Sequence, residues 1–243
     1  MTARGMARAW TLGLGLSLVL TACGTTGAAQ TGGSAAGGSG NFVFAKIAYN
    51  EQMFSTSGTP AVGPMFDHSG NAIDAADPGV PNQGKPGTVQ FQAGSAKIPF
   101  HFAGTTGNSS EMVPNGGQVD IAVTPGKYKQ LYFLESTGNG TANGAAIDLA
   151  LNYTDGTSTK STMTTTDWTL TQSIASGGNE VVAFTTADEI HPDGSSGTGT
   201  YGVYVDPVPL DASKQLKDVA VTAETSDNAN VQFNILAMTL EKA

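Results

Sequence analysis

Two short segments of the chain carry side chains suited to binding a divalent cation. Carboxylate oxygens, backbone carbonyls and an imidazole are the ligands that ions such as Ca²⁺ accept. We therefore expect a structural Ca²⁺ as a candidate cofactor, with two solvated acidic loops as the alternative. The candidate ligands are Asp67, Asp74 and Asp77 in the first segment, and Asp188, Glu189, His191 and Asp193 in the second.

A second set of residues could recognise a sugar. Sugar binding needs an aromatic face for stacking, together with amides or carboxylates that hydrogen-bond to hydroxyl groups. Trp168 is the only tryptophan besides Trp10, and it serves either as such a platform or as a core residue packed beneath a loop. The candidate ligand-binding residues are Trp168, His191, Tyr201, Asn139 and Asn143.

Catalytic signatures are weak in this sequence. There is no Gly-x-Ser-x-Gly nucleophile elbow, and the three histidines are scattered along the chain. The glutamates fall mostly at predicted strand ends or turns, so we expect solvated carboxylates on the rim rather than a catalytic pair. We assign no catalytic residue. The glutamates concerned are Glu51, Glu111, Glu135, Glu180, Glu189, Glu224 and Glu241.

The N-terminal segment is built like an export signal. Arg4 and Arg8 precede an apolar run from Trp10 to Leu20, and small residues then lead to Cys23, the only cysteine. Leu20-Thr21-Ala22-Cys23 resembles a bacterial lipobox. The resemblance implies that residues 1–22 are a lipoprotein signal peptide, that Cys23 carries lipid such as palmitate, and that the protein is anchored to a membrane of the cell envelope, outside the cytoplasm. The alternative is an ordinary secretory signal.

The rest of the chain divides into a tether and one domain. Residues 23–40 are rich in Gly, Ser and Ala and predict a flexible tether. Residues 41–243 predict a single domain. Beyond residue 22 the chain has nine lysines, no arginine and 20 carboxylates. This charge excludes nucleic acid as a partner, because nucleic acid binding relies on neutralising phosphates. Neutral ligands, cations and basic proteins remain open.

The sequence of this domain predicts an all-β protein. About ten strand patterns are separated by Gly, Asn, Asp and Ser turns, and no long amphipathic helix is present. Residues 147–153 alternate apolar and polar side chains, and Asp155-Gly156 predicts a two-residue hairpin after them. Residues 66–87 predict a long surface loop. These patterns favour a two-sheet β-sandwich of the jelly-roll type, with a closed barrel as the alternative.

The order of several motifs is similar to that in the β-sandwich accessory modules of secreted microbial glycosidases. These motifs are Gly117-Gln118 before a strand, the apolar strand Leu131–Leu134, a Gly/Asn loop at Thr137–Gly144, and the hairpin and Asp-Trp pair within Asn152–Trp168. The resemblance implies a jelly roll like the galactose-binding domains, and a carbohydrate-binding role without catalysis.

The sequence thus predicts a surface-anchored lipoprotein whose β-sandwich binds carbohydrate. Its expected partners are the membrane, through lipid on Cys23, and a neutral polysaccharide, with no role for nucleic acid. The alternative is a structural, adhesion or protein-interaction lipoprotein on the same fold. An extracellular hydrolase is the less favoured third reading.

Overall fold

The computed structural model describes residues 40–59, 67–140, 144–169, 179–224 and 230–243. Within these ranges the chain is almost entirely β-structure, and a 3-10 turn at Pro81–Gly84 is the only helical element. No helix in these ranges is long and apolar enough to cross a membrane. The strands are β1 (Phe42–Phe44), β2 (Phe54–Ser55), β3 (Ala72–Asp74), β4 (Gly87–Ala93), β5 (Ala96–Phe102), β6 (Glu111–Pro114), β7 (Gln118–Gly138), β8 (Ala145–Tyr153), β9 (Ser158–Thr165), β10 (Val181–Ile190), β11 (Ser196–Pro209), β12 (Gln215–Ala223) and β13 (Gln232–Lys242).

The strands form one large sheet and one hairpin. The large sheet runs in the order β2-β3-β10-β11-β7-β12-β8-β9, and β13 pairs with β7, β1 and β6. The β4–β5 hairpin is a separate two-stranded sheet. The predicted all-β sandwich is confirmed. The main path is open rather than closed, because β2 and β9 end it without pairing to each other among the described strands.

The long strand β7 turns the large sheet into a sandwich. Its first half, near Val119–Ile121, pairs with β12, while its second half pairs with β11 and β13. The register between β7 and β12 shifts between Leu216 and Asp218, opposite Pro125. Proline donates no backbone hydrogen bond and is tolerated at such a bulge. The strand predicted after Gly117-Gln118 and the strand predicted at Leu131–Leu134 are therefore parts of one bent strand, β7, which contributes to both layers.

Alternating residues of β7 pack into two separate cores. Leu131 and Phe133 belong to one hydrophobic cluster, with Leu149 of β8 and Val219 of β12. On the opposite face, Tyr132 and Leu134 join a second cluster, which includes Trp168, Tyr201, and Phe91, Ile98 and Phe100 of the β4–β5 hairpin. Because adjacent strand residues point to opposite faces, a strand apolar on both sides lies in a central layer. Strands β8 and β12 pack against one face of this layer, and the β4–β5 hairpin covers the other face.

Two local predictions need correction. The segment predicted as a long surface loop contains β3, where Ile73 is fully buried and pairs with both β2 and β10. The β8–β9 hairpin has a three-residue tip, because Tyr153 and Thr157 pair through their backbones around Thr154–Gly156. Only Gly156 has positive φ there, at 82°, as expected for a type I turn followed by a bulge glycine.

Candidate ligand cavity and buried carboxyl cluster

Several predicted site residues from distant parts of the chain meet at one open cavity of about 460 Å³. We call it the Trp168 cavity. Its volume lies within the range of about 300–1,000 Å³ that is typical of small-molecule sites. Asp67, Asn139, Trp168 and Glu189 were predicted from the sequence, whereas Asn71 and Asp167 were not. The side chains that define the cavity are Asp67, Asn71, Asn139, Asp167, Trp168 and Glu189.

Asp67 organises one wall of the cavity. Its Oδ1 accepts hydrogen bonds from the backbone N–H groups of Ser69 and Asn71, both at 2.9 Å. Its Oδ2 accepts one from the side-chain amide of Asn71 at 2.8 Å. Burial raises the pKa of Asp67, although these hydrogen bonds oppose the shift. The carboxylate therefore holds the Asp67–Asn71 turn, and the turn presents Asn71 to the cavity.

Asp167 organises the opposite wall in the same way. Its Oδ1 accepts hydrogen bonds from the backbone N–H and the hydroxyl of Thr169, at 2.9 and 2.6 Å. Its Oδ2 accepts a hydrogen bond from the Gly140 N–H at 2.6 Å. Burial raises the pKa of Asp167. Asp167 thus ties the Thr166–Thr169 turn to the end of β7, beside Asn139.

Trp168 borders the cavity but offers no open ring face. It is only 2 % exposed. Its ring stacks on Tyr201, with ring centroids 4.6 Å apart and planes at 30°, and its backbone N–H donates to the Thr137 carbonyl at 2.8 Å. The core alternative therefore describes Trp168 better than the platform alternative, although Trp168 is one of the residues that line the cavity.

Glu189 and Asp188 do not converge on one point. Glu189 lines the Trp168 cavity, and burial together with the neighbouring Glu189 raises the pKa of the Tyr201 hydroxyl. Asp188 instead accepts a hydrogen bond from the hydroxyl of Thr198 at 3.2 Å. Consecutive residues of a strand point to opposite faces. His191 Nδ1 lies 3.1 Å from Asn71 Oδ1, and its Nε2 lies 4.0 Å from Glu189.

The other predicted cation ligands accept hydrogen bonds from backbone N–H groups or hydroxyl groups. Asp74 accepts a hydrogen bond from the Ala76 N–H, and Asp193 accepts bonds from the N–H and hydroxyl of Ser195. Asp77 accepts bonds from the N–H groups of Gly79 and Ala187 at 2.6 and 2.7 Å. Across the described part of the chain, no three acidic or histidine side chains are placed to hold one metal ion. Ca²⁺ binding stays a prediction, without a defined site.

Two predicted residues lie outside the described residues. Cys23 precedes the first described residue, Gly40, and Asn143 lies within residues 141–143. Lipidation of Cys23 and a ligand contact from Asn143 therefore stay predictions.

The expectation that the glutamates line the rim is wrong for four of them. Glu51, Glu111, Glu135 and Glu180 are buried. Their positions at predicted strand ends or turns therefore do not expose them. Glu135 is fully buried within β7, and Asp206 of β11 is 1 % exposed. Together with Glu180 they form what we call the carboxyl cluster.

The register of β7 and β11 brings the cluster together. Tyr204 of β11 lies opposite Glu135, and Asp206 lies two residues along on the same face. Neither carboxyl oxygen of Glu135 accepts a hydrogen bond from a donor group of the described residues, and neither does Asp206 Oδ2. Burial and then the nearby charge of Glu180 raise the pKa of the Glu135 carboxyl. Two like charges buried together favour a state in which one of them is protonated.

Burial and mutual repulsion favour the neutral forms of the cluster. Burial, followed by the charges of Glu180 and Asp206, raises the pKa of Glu135 well above its ordinary value. Burial and the charge of Glu180 raise the pKa of Asp206 to about 7. All nine lysines lie within the described residues, and none is buried. No lysine therefore neutralises the cluster from within the core.

Comparison with known proteins adds no assignment. No protein-family model matches this chain, and no curated protein matches its sequence.

Proposed function

We propose that this protein is a surface-anchored lipoprotein whose β-sandwich binds a neutral carbohydrate without transforming it. The observation that supports the proposal is the Trp168 cavity. Carboxylates and amides from four separate parts of the chain surround one open, small-molecule-sized space that Trp168 also lines. Sugar sites combine such acceptors with an apolar ring.

The chemistry of the cavity favours a ligand rich in hydroxyl donors. Asp67, Asp167 and Glu189 offer acceptor oxygens, while Asn71 and Asn139 carry both donors and acceptors. Among the described residues, the cavity lining contains no lysine or arginine, so it lacks the cationic partners that a phosphate or carboxylate ligand would need. A neutral polyhydroxyl ligand fits this lining better than an anionic one.

The hydrogen bonds that Asp67 and Asp167 accept argue against a hydrolytic site in the Trp168 cavity. A retaining or inverting glycosidase needs two carboxyl groups free to exchange protons with substrate or water. Asp67 and Asp167 are instead engaged by backbone N–H groups that fix the cavity walls. The carboxyls with the most strongly favoured neutral forms, Glu135 and Asp206, do not line the cavity.

An adhesion role through an apolar patch has less support. Among the described residues, Val182 is the only exposed large hydrophobic side chain, at 38 %. Protein-docking patches on monomers usually expose several such residues together. The protein-interaction alternative therefore depends on polar contacts or on the strand edges.

The proposed anchor suits this activity. A lipid on Cys23 and a Gly/Ser/Ala tether over residues 24–40 would hold the sandwich close to the membrane while leaving it free to reorient. A weak site gains from such tethering, because many copies on one surface can engage one polymer together.

A glycan panel followed by calorimetry on the purified full chain tests the proposal. We expect dissociation constants of roughly micromolar to millimolar, equivalent to about −8 to −4 kcal/mol. Binding should tolerate added salt, because few ion pairs are involved. If the folded protein binds no glycan of the panel, with or without Ca²⁺, the result would favour the protein-interaction alternative instead.

One pair of variants localises the site. Asn139 has a positive φ of 56°, so Asn139→Gly removes its amide without straining the backbone. Loss of a hydrogen bond of about 1 kcal/mol should weaken binding roughly fivefold. Asn82→Gly is the matched control, because Asn82 has φ of 53° and lies outside the cavity. Equal glycan affinities for both variants would show that the ligand binds outside the Trp168 cavity.

A further inference from the structure

The carboxyl cluster lies directly beneath one wall of the Trp168 cavity. Glu180 accepts hydrogen bonds from the backbone N–H of Thr166, at 3.0 Å, and from the Thr166 hydroxyl. The hydroxyl of Tyr204 donates to the backbone carbonyl of Asp167 at 3.1 Å. The Thr166–Thr169 turn carries three cavity-lining residues, Asp167, Trp168 and Thr169. Glu180 of the cluster and the neighbouring Tyr204 therefore hold this turn in place.

The cluster can keep this arrangement only while its negative charge is limited. Glu135, Glu180 and Asp206 are all at least about nine-tenths buried, and unpaired buried charges are costly. Neither carboxyl oxygen of Glu135 has a donor partner among the described residues. Protons are the compensation that the described residues leave available, because the nine lysines are not buried and no metal-binding group is found among them.

The groups facing the cluster from each neighbouring element are mostly acidic or neutral. Glu135 comes from β7, Tyr204 and Asp206 from β11, Glu180 from the residue before β10, and Asp167 from the turn. The β13 residue paired with Glu135 is Ile235. The β9 residues that line the small cavity beside Asp206 are uncharged, namely Ser161, Thr162, Met163 and Thr164. Residues 170–178 lie outside the described residues and have no titratable side chain.

We infer that protons held by Glu135 and Asp206 lock the Thr166–Thr169 turn in place, so that the Trp168 cavity is assembled at acidic to neutral pH and loosens at alkaline pH. Loss of these protons places two further negative charges beside Glu180. Repulsion then acts on the side chain that anchors Thr166, and the disturbance reaches Trp168 two residues later. The inference rests on the proposed function only in that the regulated cavity is the one proposed to bind sugar.

Trp168 itself reports the state of the turn. A full-chain Trp10→Phe protein leaves Trp168 as the only tryptophan. We expect acrylamide quenching of its fluorescence to rise at least about twofold between pH 5 and 9, with a midpoint near pH 7, because the pKa of Asp206 is raised to about 7. Far-UV circular dichroism should stay constant over this range, which separates loosening of the turn from global unfolding.

Variants on the same background assign the transition. Glu135→Gln and Asp206→Asn together should remove the pH dependence, because neither amide ionises. Asp120→Asn is the matched control, since Asp120 is an exposed carboxylate of β7 that lies outside both the cluster and the cavity. A transition that persists in the double variant, or that disappears in Asp120→Asn, would overturn the inference.

The parent protein provides a test that needs no cluster variant. If the double variant does not fold, an unchanged quenching constant from pH 5 to 9 in Trp10→Phe is sufficient to reject the inference. A rise accompanied by loss of the infrared band of a buried protonated carboxyl group supports it. All measurements are made without sugar, so failure to bind glycans and failure of the pH response are separate results.

Discussion

Glu135 and Tyr204 lie directly opposite each other across β7 and β11, in the interior of the sandwich. The tyrosine hydroxyl donates to the carbonyl of Asp167 rather than to the carboxyl of Glu135. Burial, together with the charge of Glu135, raises the pKa of Tyr204, so it keeps its proton throughout the ordinary pH range. Glu135 is thereby left without this donor, and its neutral form is favoured.

The first prediction is that the domain is more stable in acid than in alkali. Above a pH of about 4, carboxyl groups ionise in the unfolded chain, whereas Glu135 and Asp206 keep protons in the folded state. The stability due to Asp206 is full below about pH 4 and is lost as pH rises through about 7, its folded-state pKa. Each group that keeps its proton only in the folded state lowers the unfolding free energy by up to about 1.4 kcal/mol for every unit by which the pH rises. Urea denaturation at pH 5, 6, 7 and 8 measures this decrease.

Other carboxyls modify this profile without changing its sign near neutrality. Burial also raises the pKa values of Glu51, Asp67, Glu111 and Asp167, which adds to the trend. The pKa of Asp155 is lowered by hydrogen bonds from Thr157, so its effect has the opposite sign and appears only in strong acid. A stability that rises from pH 5 to 8 would show that the carboxyl cluster is ionised in the folded protein.

The second prediction concerns substitution within the cluster. Glu135→Gln and Asp206→Asn each replace a buried ionisable group with a neutral one of nearly the same shape. We expect each variant to be more stable than the parent at pH 8 and to have a shallower pH dependence, since no proton must be retained. Asp120→Asn, at an exposed position in the first half of β7, is the control and should leave both unchanged. Loss of stability at pH 8 in both cluster variants would mean that their carboxylates are stabilised by contacts in the ionised form.

The strand pattern was more predictable than the site. Ile147–Tyr153 alternates because one face of β8 packs into the core, and this periodicity is written into the local sequence. The union of two predicted strands into β7 was missed, because Pro125-Gly126 resembles a turn and only the pairing with β12 shows a bulge there. A local sequence pattern predicts which face of the sheet a side chain occupies. It does not predict which residues that side chain contacts across the sandwich.

The composition of the cavity illustrates the same limit. Trp168 and Glu189 were selected for their chemistry, but Asn71 and Asp167 were missed because their role comes from loops that meet only in the folded state. Glu135 follows an apolar run that ends at Leu134, which was the one available sign that it lies inside. A carboxylate in such a position is usually assumed to mark the exposed end of the strand.

The third prediction separates the two roles considered for Trp168. Because the ring is buried and stacked on Tyr201, Trp168→Ala should destabilise the domain by about 3–5 kcal/mol. Val182→Ala is the control, since Val182 is exposed and its truncation should change stability by no more than about 0.5 kcal/mol. Thermal and urea denaturation measure both. Unchanged stability in Trp168→Ala would restore the platform alternative.

The fourth prediction concerns the anchor. If Cys23 is lipidated after removal of residues 1–22, the protein should partition into the detergent phase on phase separation, and mass spectrometry should find an acylated N-terminal Cys23. Cys23→Ser should abolish acylation and leave an uncleaved or soluble form. Thr25→Ser, two residues further on, is the matched control and should behave as the parent. Recovery of the parent protein from the medium with a free Cys23 thiol would support the ordinary secretory signal instead.

The fifth prediction isolates the backbone conformation at the β8–β9 tip. Gly156 has φ of 82°, and a Cβ added there would meet no other atom within 4 Å. Gly156→Val should therefore destabilise the domain by about 1–2 kcal/mol through backbone strain alone, because β-branched residues resist positive φ. Gly156→Asn should retain most of the parent stability, since asparagine tolerates this region better. Equal stability of the valine and asparagine variants in urea denaturation would show that the tip adopts a different turn from the one described.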